Sequence, residues 1–301
     1  MSFQEAYKSC TLCPRACRAN RTDGAFGACH AGASPRVAHT MLHMWEEPCI
    51  SGERGSGTVF FSGCPLGCVY CQNRDISGKY IGAEHDERSL ADLFASLEKA
   101  GAHNVNLVTG THHIPHIATA ISLAREAGLG IPVVYNTSGY ERPSSLAVLD
   151  GLVDIYLTDL RYKSAEPAAR YTHAPDYPRV AFDALSEMVR QTGAPRFDAA
   201  GMMQKGVIVR ILLLPGHLIE AKQILRTVFS TFGESIYISL MSQYTPVGDI
   251  GAAFPNLSRR VTPYEYASFV DYARTLGVTQ AFTQEGESAS ESFIPPFCAE
   301  K

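Results

Sequence analysis

The 301-residue chain lacks a long apolar run, a large excess of charge of one sign and any low-complexity tract. The longest apolar stretch, residues 207–215, is too short to span a bilayer and contains Arg210. The first ten residues, MSFQEAYKSC, contain no apolar stretch of signal-peptide length. These absences argue against a membrane or secreted protein, so we expect a cytoplasmic protein without membrane partners.

The sequence also has no excess of basic residues. The chain has 26 Lys+Arg against 30 Asp+Glu, which leaves a net charge of −4 at pH 7. Nucleic-acid binding normally needs a basic face, so we expect no nucleic-acid partner. With 46% hydrophobic and 19% charged residues, the composition supports a sizeable core and argues against a disordered chain.

Cysteine, in contrast, is abundant and clustered. The nine cysteines form a group of four at Cys10, Cys13, Cys17 and Cys29, a group of three at Cys64, Cys68 and Cys71, and two isolated residues at Cys49 and Cys298. In a reducing cytosol, closely spaced cysteines indicate metal ligation rather than disulfides. We interpret Cys298 as an incidental thiol.

Beyond residue 58 the sequence alternates between β-branched or aromatic runs and amphipathic segments with helical periodicity. The strands are predicted at residues 58–63, 105–110, 132–139, 154–160, 206–216 and 235–244, and the helices at 89–101, 115–128, 180–193, 219–233 and 262–277. The strands are almost continuously apolar, as parallel strands buried on both faces are. Repeated βα units predict an α/β fold with either a barrel-like or an open doubly wound sheet.

In both architectures the chemistry collects at the carboxyl ends of the strands. Polar residues occur at these ends, so we expect a single active-site mouth there. A composition change at residues 50–57 marks a domain boundary. We therefore expect a cysteine-rich metal-binding segment over residues 1–50 and a barrel domain over residues 51–301.

The group of three cysteines occupies a short loop, SGCPLGCVYCQN, directly after the first predicted strand. Thiolates spaced C-x3-C-x2-C on such a loop can converge on one cubane iron–sulfur cluster. Three ligands leave the fourth iron open to an exogenous ligand. A closed structural zinc site needs four protein ligands, whereas a catalytic zinc with three thiolates remains an alternative.

This loop, C-x3-C-x-aromatic-C after the first strand of a βα repeat, resembles the signature of the radical S-adenosylmethionine enzymes. The chain is similar in particular to the pyruvate formate-lyase activating enzymes and their uncharacterised iron–sulfur homologues. The similar stretches are CTLCPRACRANR, EEPCISGERGSGTVFFSGCPLGCVYCQN, NLVTGTHHIP, VVYNTSGY and SLMSQYTPVG. The resemblance implies a partial (β/α)6 TIM-like barrel with a [4Fe–4S] cluster on Cys64, Cys68 and Cys71.

The resemblance also implies the chemistry. The amino and carboxylate groups of S-adenosylmethionine would chelate the open iron, and an electron from the cluster would release a 5′-deoxyadenosyl radical. That radical would abstract hydrogen from an unidentified substrate, either a protein glycine or a small molecule. The resemblance further implies a flavodoxin- or ferredoxin-like electron donor, and we expect the protein to be a monomer.

Several residues resemble positions that contact S-adenosylmethionine in the family. Tyr70 would lie near the adenine, and the turn Thr109, Gly110 and Thr111 would meet the methionine amino group, although it lacks the family's Gly-Gly-Glu. Asp159 and Arg161 resemble an Asp-x-Lys segment at the methionine end. Asn136 stands in place of an aspartate, and Arg210 resembles a fifth-strand arginine, with a barrel ion pair as its alternative.

Three alternative functions remain open. Activation of a glycyl-radical enzyme is one, although Asn136 replaces an aspartate and residues 244–248 lack the family's histidine. A non-catalytic iron–sulfur electron carrier or redox sensor is the second, and it would not cleave S-adenosylmethionine. The third is a zinc protein whose cysteines are all structural.

The remaining motifs carry their own expectations. Cys10, Cys13, Cys17 and Cys29 can form a four-thiolate site for zinc or for a second cluster, acting as a structural staple or as an electron relay. We expect His112, His113 and His116 to face the cavity, where they would bind substrate or shuttle protons. Glu46 and Glu47, beside Cys49, are expected to be solvated or to cap a helix.

Overall fold

The computed structural model describes residues 3–284, so Cys298 lies outside the described part of the chain. Within that part, no helix has the length and apolar character needed to cross a membrane. The helices are α1 (Phe3–Lys8), α2 (Pro48–Ser51), α3 (Arg74–Ser77), α4 (Glu87–Lys99), α5 (Ile114–Glu126), α6 (Pro143–Leu146), α7 (Ala165–Thr172), α8 (Tyr177–Thr192), α9 (Leu218–Phe232), α10 (Ile250–Ala253) and α11 (Pro263–Thr275).

The strands form a largely parallel sheet. They are β1 (Arg36–His43), β2 (Ser56–Phe61), β3 (Ala83–Glu84), β4 (Val105–Val108), β5 (Val133–Thr137), β6 (Ile155–Asp159), β7 (Arg196–Phe197), β8 (Met203–Leu212), β9 (Tyr237–Met241) and β10 (Ala281–Thr283). Their order is β10-β9-β8-β6-β5-β4-β2-β1-β3, with β7 paired to β8. The sheet from β2 to β10 is parallel throughout and does not close. The predicted α/β fold with a partial barrel is therefore confirmed.

The chemistry of the segments explains this arrangement. Strands β4 and β5 are buried along their whole length, as their continuous apolar character predicts for parallel strands covered on both faces. Helix α4 begins at a capping box in which Asp86 and Ser89 satisfy each other's backbone amides. Thr262 and Glu265 form the same box at the start of α11.

Strand β1 extends the sheet beyond the predicted barrel. It pairs antiparallel with β2, placing Met41 opposite Thr58 and Leu42 opposite Gly57. The sheet therefore runs across the predicted boundary at residues 50–57, and the N-terminal segment contributes a strand to the same sheet. The links between β1 and β2 include α2, which brings residues 46–52 to the cavity described below.

The rest of the N-terminal segment packs on the three-cysteine loop. The amide of Cys64 donates to the carbonyl oxygen of Cys29 over 3.0 Å. Gly63 has a φ of +86°, and a Cβ atom there would lie 2.5 Å from the same carbonyl oxygen, so the contact requires glycine. Arg15 donates to the carbonyl oxygens of Pro65 (2.9 Å) and Thr172 (2.7 Å). These bonds join the segment to the loop and to the end of α7.

Candidate active site

A cavity of about 760 Å³ opens at the carboxyl ends of the parallel strands. Its lining includes seven of the residues predicted from the sequence: Cys68, Tyr70, Cys71, Asn136, Asp159, Arg161 and Arg210. These residues come from three separate strand ends, those of β5, β6 and β8, and from the loop after β2. Their convergence is what a parallel sheet imposes on residues that follow its strands.

The three-cysteine loop forms one wall of this cavity. The amide of Cys71 donates to the carbonyl oxygen of Cys68 over 3.1 Å, which turns the loop between these two thiols. Cys64 is partly buried but does not line the cavity. Burial raises the pKa of Cys64 to about 11 and that of Cys68 to about 12. Both thiols are therefore protonated at neutral pH, and metal ligation would displace their protons.

The side chains of residues 3–284 do not form a ready-made metal site. No group of three or more histidine, cysteine, aspartate or glutamate side chains there could hold a metal ion as placed. The donor chemistry still fits an iron–sulfur cluster, because the three thiols share one short loop and two of them line the cavity.

A buried charge network forms another part of the cavity wall, and its Arg161 lies beside Tyr70 of the thiol loop. Asp159 accepts from Nε of Arg210 over 2.9 Å and also pairs with Arg161. Arg210 donates to the Oδ1 atom of Asn136 over 2.7 Å and approaches Glu46 to 3.3 Å. Burial alone would lower the pKa of Arg210, but the neighbouring carboxylates Asp159 and Glu46 outweigh it, and the pKa rises. The network therefore holds five residues in fixed positions: the four predicted from the sequence, and Glu46.

Glu46 and Glu47 are the residues that the sequence analysis misjudged. Instead of being solvated, Glu47 is 7% exposed and the side chain of Glu46 is 10% exposed. Both line the cavity because β1 and α2 carry them to the strand ends. Burial raises the pKa of Glu47 to about 7, partly offset by Arg210. An adjacent pair of glutamates gave no sign of burial, since the cation that stabilises them lies far away in the sequence.

Three buried polar atoms of cavity-lining residues have no partner in the structure. They are Nε of Arg161, which is a hydrogen-bond donor, Oε2 of Glu47, which is an acceptor, and Nδ1 of His43. Buried polar atoms are normally paired, and an unpaired one at a cavity wall is available to a ligand. The cavity thus offers a cationic donor beside the thiol loop and a carboxyl group on the segment before α2.

Tyr70 lies on the thiol-loop side of the cavity and is fully packed. Its hydroxyl hydrogen-bonds to that of Tyr162 over 2.6 Å. Its ring contacts Tyr244 edge-on, and the guanidinium of Arg161 lies 6.0 Å from its centroid. The predicted place of Tyr70 beside an adenine ring remains a prediction, and its position at the cavity is compatible with it.

The turn at Thr109, Gly110 and Thr111 is not part of the cavity lining. A Cβ atom on Gly110 would lie 2.5 Å from Cδ1 of Ile117, so the glycine provides space for interior packing. The Thr111 hydroxyl donates to Glu141 over 2.6 Å. The sequence analysis missed Glu141, a fully buried carboxyl. Contact of this turn with a methionine amino group remains a prediction.

The three histidines lie beneath the N-terminal segment, so the expectation that they face the cavity is wrong. His112 hydrogen-bonds to the carbonyl oxygen of Ser62 over 2.7 Å, and His116 pairs with Glu87 over 2.7 Å. His113 contacts Arg21. Burial lowers the pKa of all three, and that of His112 falls to about 3. The histidines are interior packing and docking groups.

Comparison with known proteins agrees with this geometry. An uncharacterized protein of Methanocaldococcus jannaschii is 27% identical over 274 residues, which cover 89% of this chain and 75% of that protein. The family model for the radical SAM superfamily matches residues 58–228, more than half of the chain. The match begins in β2 and includes the three-cysteine loop and the strand ends that form the cavity. The chain therefore belongs to the radical SAM superfamily.

Proposed function

We propose that this protein is an enzyme that cleaves S-adenosylmethionine reductively and uses the resulting radical on a substrate bound in the same cavity. The observation that carries the proposal is the shared cavity. Two thiols of the C-x3-C-x2-C loop and the buried Asp159–Arg161–Arg210 network line it together. A [4Fe–4S] cluster on Cys64, Cys68 and Cys71 would supply the electron that splits S-adenosylmethionine into methionine and a 5′-deoxyadenosyl radical.

The charge network is suited to hold the methionine end of that molecule. Both oxygens of Asp159 are occupied by arginines, whereas Nε of Arg161 is unpaired and available to a carboxylate. A charge-assisted bond from a guanidinium to a carboxylate is among the stronger contacts a protein makes. Arg210 and Asn136 fix Asp159 and thereby fix the direction of Arg161.

The surrounding tyrosines exclude water from the thiol-loop side. Tyr70, Tyr162 and Tyr171 form a buried group behind the loop. Exclusion of water lowers the reduction potential of a cluster, and this chemistry needs a low potential. It also protects a radical from reaction with solvent. A flavodoxin- or ferredoxin-like protein is the proposed electron donor.

The substrate is proposed to occupy the side of the cavity formed by residues 43–52. Glu47 presents an unpaired carboxyl oxygen there, and the exposed side chain of Trp45 lies at the same wall. The carboxyl group accepts a hydrogen bond or a cation when ionised and donates when protonated.

The test is the formation of 5′-deoxyadenosine. The protein is purified anaerobically, reconstituted with iron and sulfide, reduced with dithionite and incubated with S-adenosylmethionine. We expect product from the unaltered protein and none from Cys64→Ala, Cys68→Ala or Cys71→Ala. Cys49→Ala is the matched control, because Cys49 is a buried cysteine outside both groups, and it should keep the activity.

Two outcomes contradict the proposal. Cluster absorbance without 5′-deoxyadenosine identifies an electron carrier or redox sensor instead. Product that persists in all three loop variants places the cluster on other cysteines.

A further inference from the structure

A buried arginine of the N-terminal segment, Arg21, lies close to Cys10, Cys17 and Cys29, away from the cavity and outside the residues matched by the family model. Cys10, Cys13 and Cys29 are buried, and Cys17 lies at the surface. Arg21, between them in sequence, is only 2% exposed although its guanidinium is charged at every physiological pH. The proposed radical chemistry uses none of these side chains.

The partners of Arg21 include no anion. It donates to the carbonyl oxygens of His112 (2.8 Å) and Gly32 (2.9 Å), and its guanidinium lies 4.4 Å from the ring centroid of Tyr7. Its Nη1 atom is 3.7 Å from the sulfur of Cys10. Within residues 3–284 no carboxylate forms an ion pair with it. A buried unpaired cation is strongly destabilising, so an anion is expected at this place.

The cysteine sulfurs are the candidate anion. The sulfur of Cys10 is the nearest one to the guanidinium of Arg21. A thiol that ligates a metal is deprotonated, so ligation would place negatively charged sulfur beside this cation.

Gly27 leaves space between two of the sulfurs. A Cβ atom there would lie 3.1 Å from the sulfur of Cys29 and 3.7 Å from that of Cys17. Ala16 and Arg18, on either side of Cys17, have positive φ angles of 43° and 57°. Such backbone is unfavourable for residues other than glycine and persists where the surroundings hold it in place.

We propose that Cys10, Cys13, Cys17 and Cys29 ligate a metal centre whose negative charge is partly balanced by Arg21. As placed, these side chains could not hold a single metal ion, so zinc binding would require them to move. Four thiolates around Zn²⁺, or around an oxidised [4Fe–4S]²⁺ cluster, carry two net negative charges. Loading breaks the S–H bonds and forms metal–sulfur bonds, and the released protons pass to solvent. Four protein ligands leave no open position, so this centre is structural or transfers electrons. It does not depend on the proposed function, because it uses neither the cavity nor S-adenosylmethionine.

The metal test uses a variant without the loop thiols, Cys64→Ser/Cys68→Ser/Cys71→Ser. It is reconstituted anaerobically, in separate samples, with Zn²⁺ and with iron plus sulfide, and then desalted. We expect about one zinc, or about four irons with matching sulfide, per chain. Adding Cys10→Ser and Cys13→Ser should abolish the retained metal, whereas adding Cys49→Ser should not. Retention of zinc identifies a zinc centre, and retention of iron with sulfide identifies a cluster.

A loop variant that is folded by circular dichroism and retains neither metal overturns the proposal. This measurement leaves the N-terminal cysteines intact, so it decides the question even if Cys10→Ser/Cys13→Ser fails to fold. The loop variant lacks the thiols that the proposed enzyme activity needs. Its metal content therefore tests the N-terminal centre independently of that activity.

The role of Arg21 has its own measurement, urea unfolding of Arg21→Met in the loop variant with and without metal. If Arg21 balances the metal centre, Arg21→Met should weaken metal retention against a chelator by about 10–100-fold and destabilise the loaded protein. The same substitution should stabilise the metal-free protein, since it removes a buried unpaired charge. Arg21→Lys keeps the charge and should retain most of the metal affinity. If Arg21→Met changes the stability of the metal-loaded and the metal-free protein in the same direction, Arg21 is not the counter-ion of the centre.

Discussion

Glu141 is a buried carboxyl held by three neutral hydrogen-bond donors. Its Oε1 atom accepts from the hydroxyls of Thr111 and Thr137 at 2.6 Å and from that of Tyr135 at 3.3 Å, while Oε2 has no partner. Burial raises the pKa of Glu141 to about 7, and the hydrogen bonds partly offset this. Among the described residues no cation contributes to the pKa of Glu141, so burial favours its protonated form in the folded protein.

This raised pKa makes stability depend on pH. Because the pKa is higher in the folded than in the unfolded state, the stabilisation is complete below about pH 4.5 and is lost as the pH rises towards 7. We expect the unfolding free energy of the unaltered protein to fall by about 3 kcal/mol over this range because of Glu141. The Glu141→Gln variant should not show this decrease. Urea denaturation at pH 5 and pH 8 measures it. Glu126→Gln, at an exposed site on α5, is the control, and equal pH dependence in unaltered and Glu141→Gln proteins would contradict the expectation.

Arg210 supports a second prediction at the residue scale. Its side chain is 14% exposed and contacts Asp159 and Glu46, so Arg210→Met leaves two buried carboxylates without this cation. We expect a loss of about 3–5 kcal/mol in unfolding free energy. The exposed pair Arg179–Asp183 is the control, where Arg179→Met should change stability by less than about 1 kcal/mol. Similar urea midpoints for the two variants would show that the cavity network contributes little.

The sequence predicted individual site residues where a strand end dictates their position. Asn136, Asp159 and Arg210 lie on neighbouring parallel strands, so the pattern alone brings them together. Glu47 and Glu141 could not be identified in this way. Whether a carboxyl is buried depends on partners far away in sequence, and neither residue belongs to a motif that would mark it.

At the scale of elements, buried parallel strands were predictable and edge strands were not. The runs that form β4, β5 and β6 are apolar on both faces, which distinguishes them from loops. Strand β1 is half-buried along most of its length, and its sequence RVAHTMLH shows no clear alternation. Its strand state follows from pairing with β2, a contact that local sequence does not encode.

Helix α11 provides the prediction at this scale. Oγ1 of Thr262 accepts a hydrogen bond from the amide of Glu265 over 3.2 Å, and this bond satisfies one of the free amides of the first turn. We expect Thr262→Ala to lower the free energy of unfolding by about 1 kcal/mol. Ser230→Ala, at an exposed position in α9, should leave it nearly unchanged. Urea denaturation compares the two, and equal effects would mean that the cap is not stabilising.

At the scale of the whole molecule, the N-terminal segment and the thiol loop form one unit. Arg15 connects them through carbonyl oxygens on the loop and at the end of α7. No local pattern predicted this connection, because backbone carbonyl acceptors carry no sequence signature.

We expect Arg15→Met to loosen the loop without unfolding the protein. Loss of these bonds should speed amide hydrogen exchange in peptides covering residues 64–71, while peptides from β4 and β5 keep their protection. Arg88→Met, at an exposed position on α4, is the control. Unchanged exchange in the loop peptides of Arg15→Met would show that the segment is held by its other contacts.

The bond between the Cys64 amide and the Cys29 carbonyl oxygen also has a consequence for maturation. It places the N-terminal segment against the side of the loop that faces away from the cavity. If a cluster is built on this loop as proposed, the carrier that delivers iron and sulfide acts before this segment docks or enters through the cavity mouth. Docking of the segment, which this bond and those of Arg15 hold in place, would then close one of two routes to the loop.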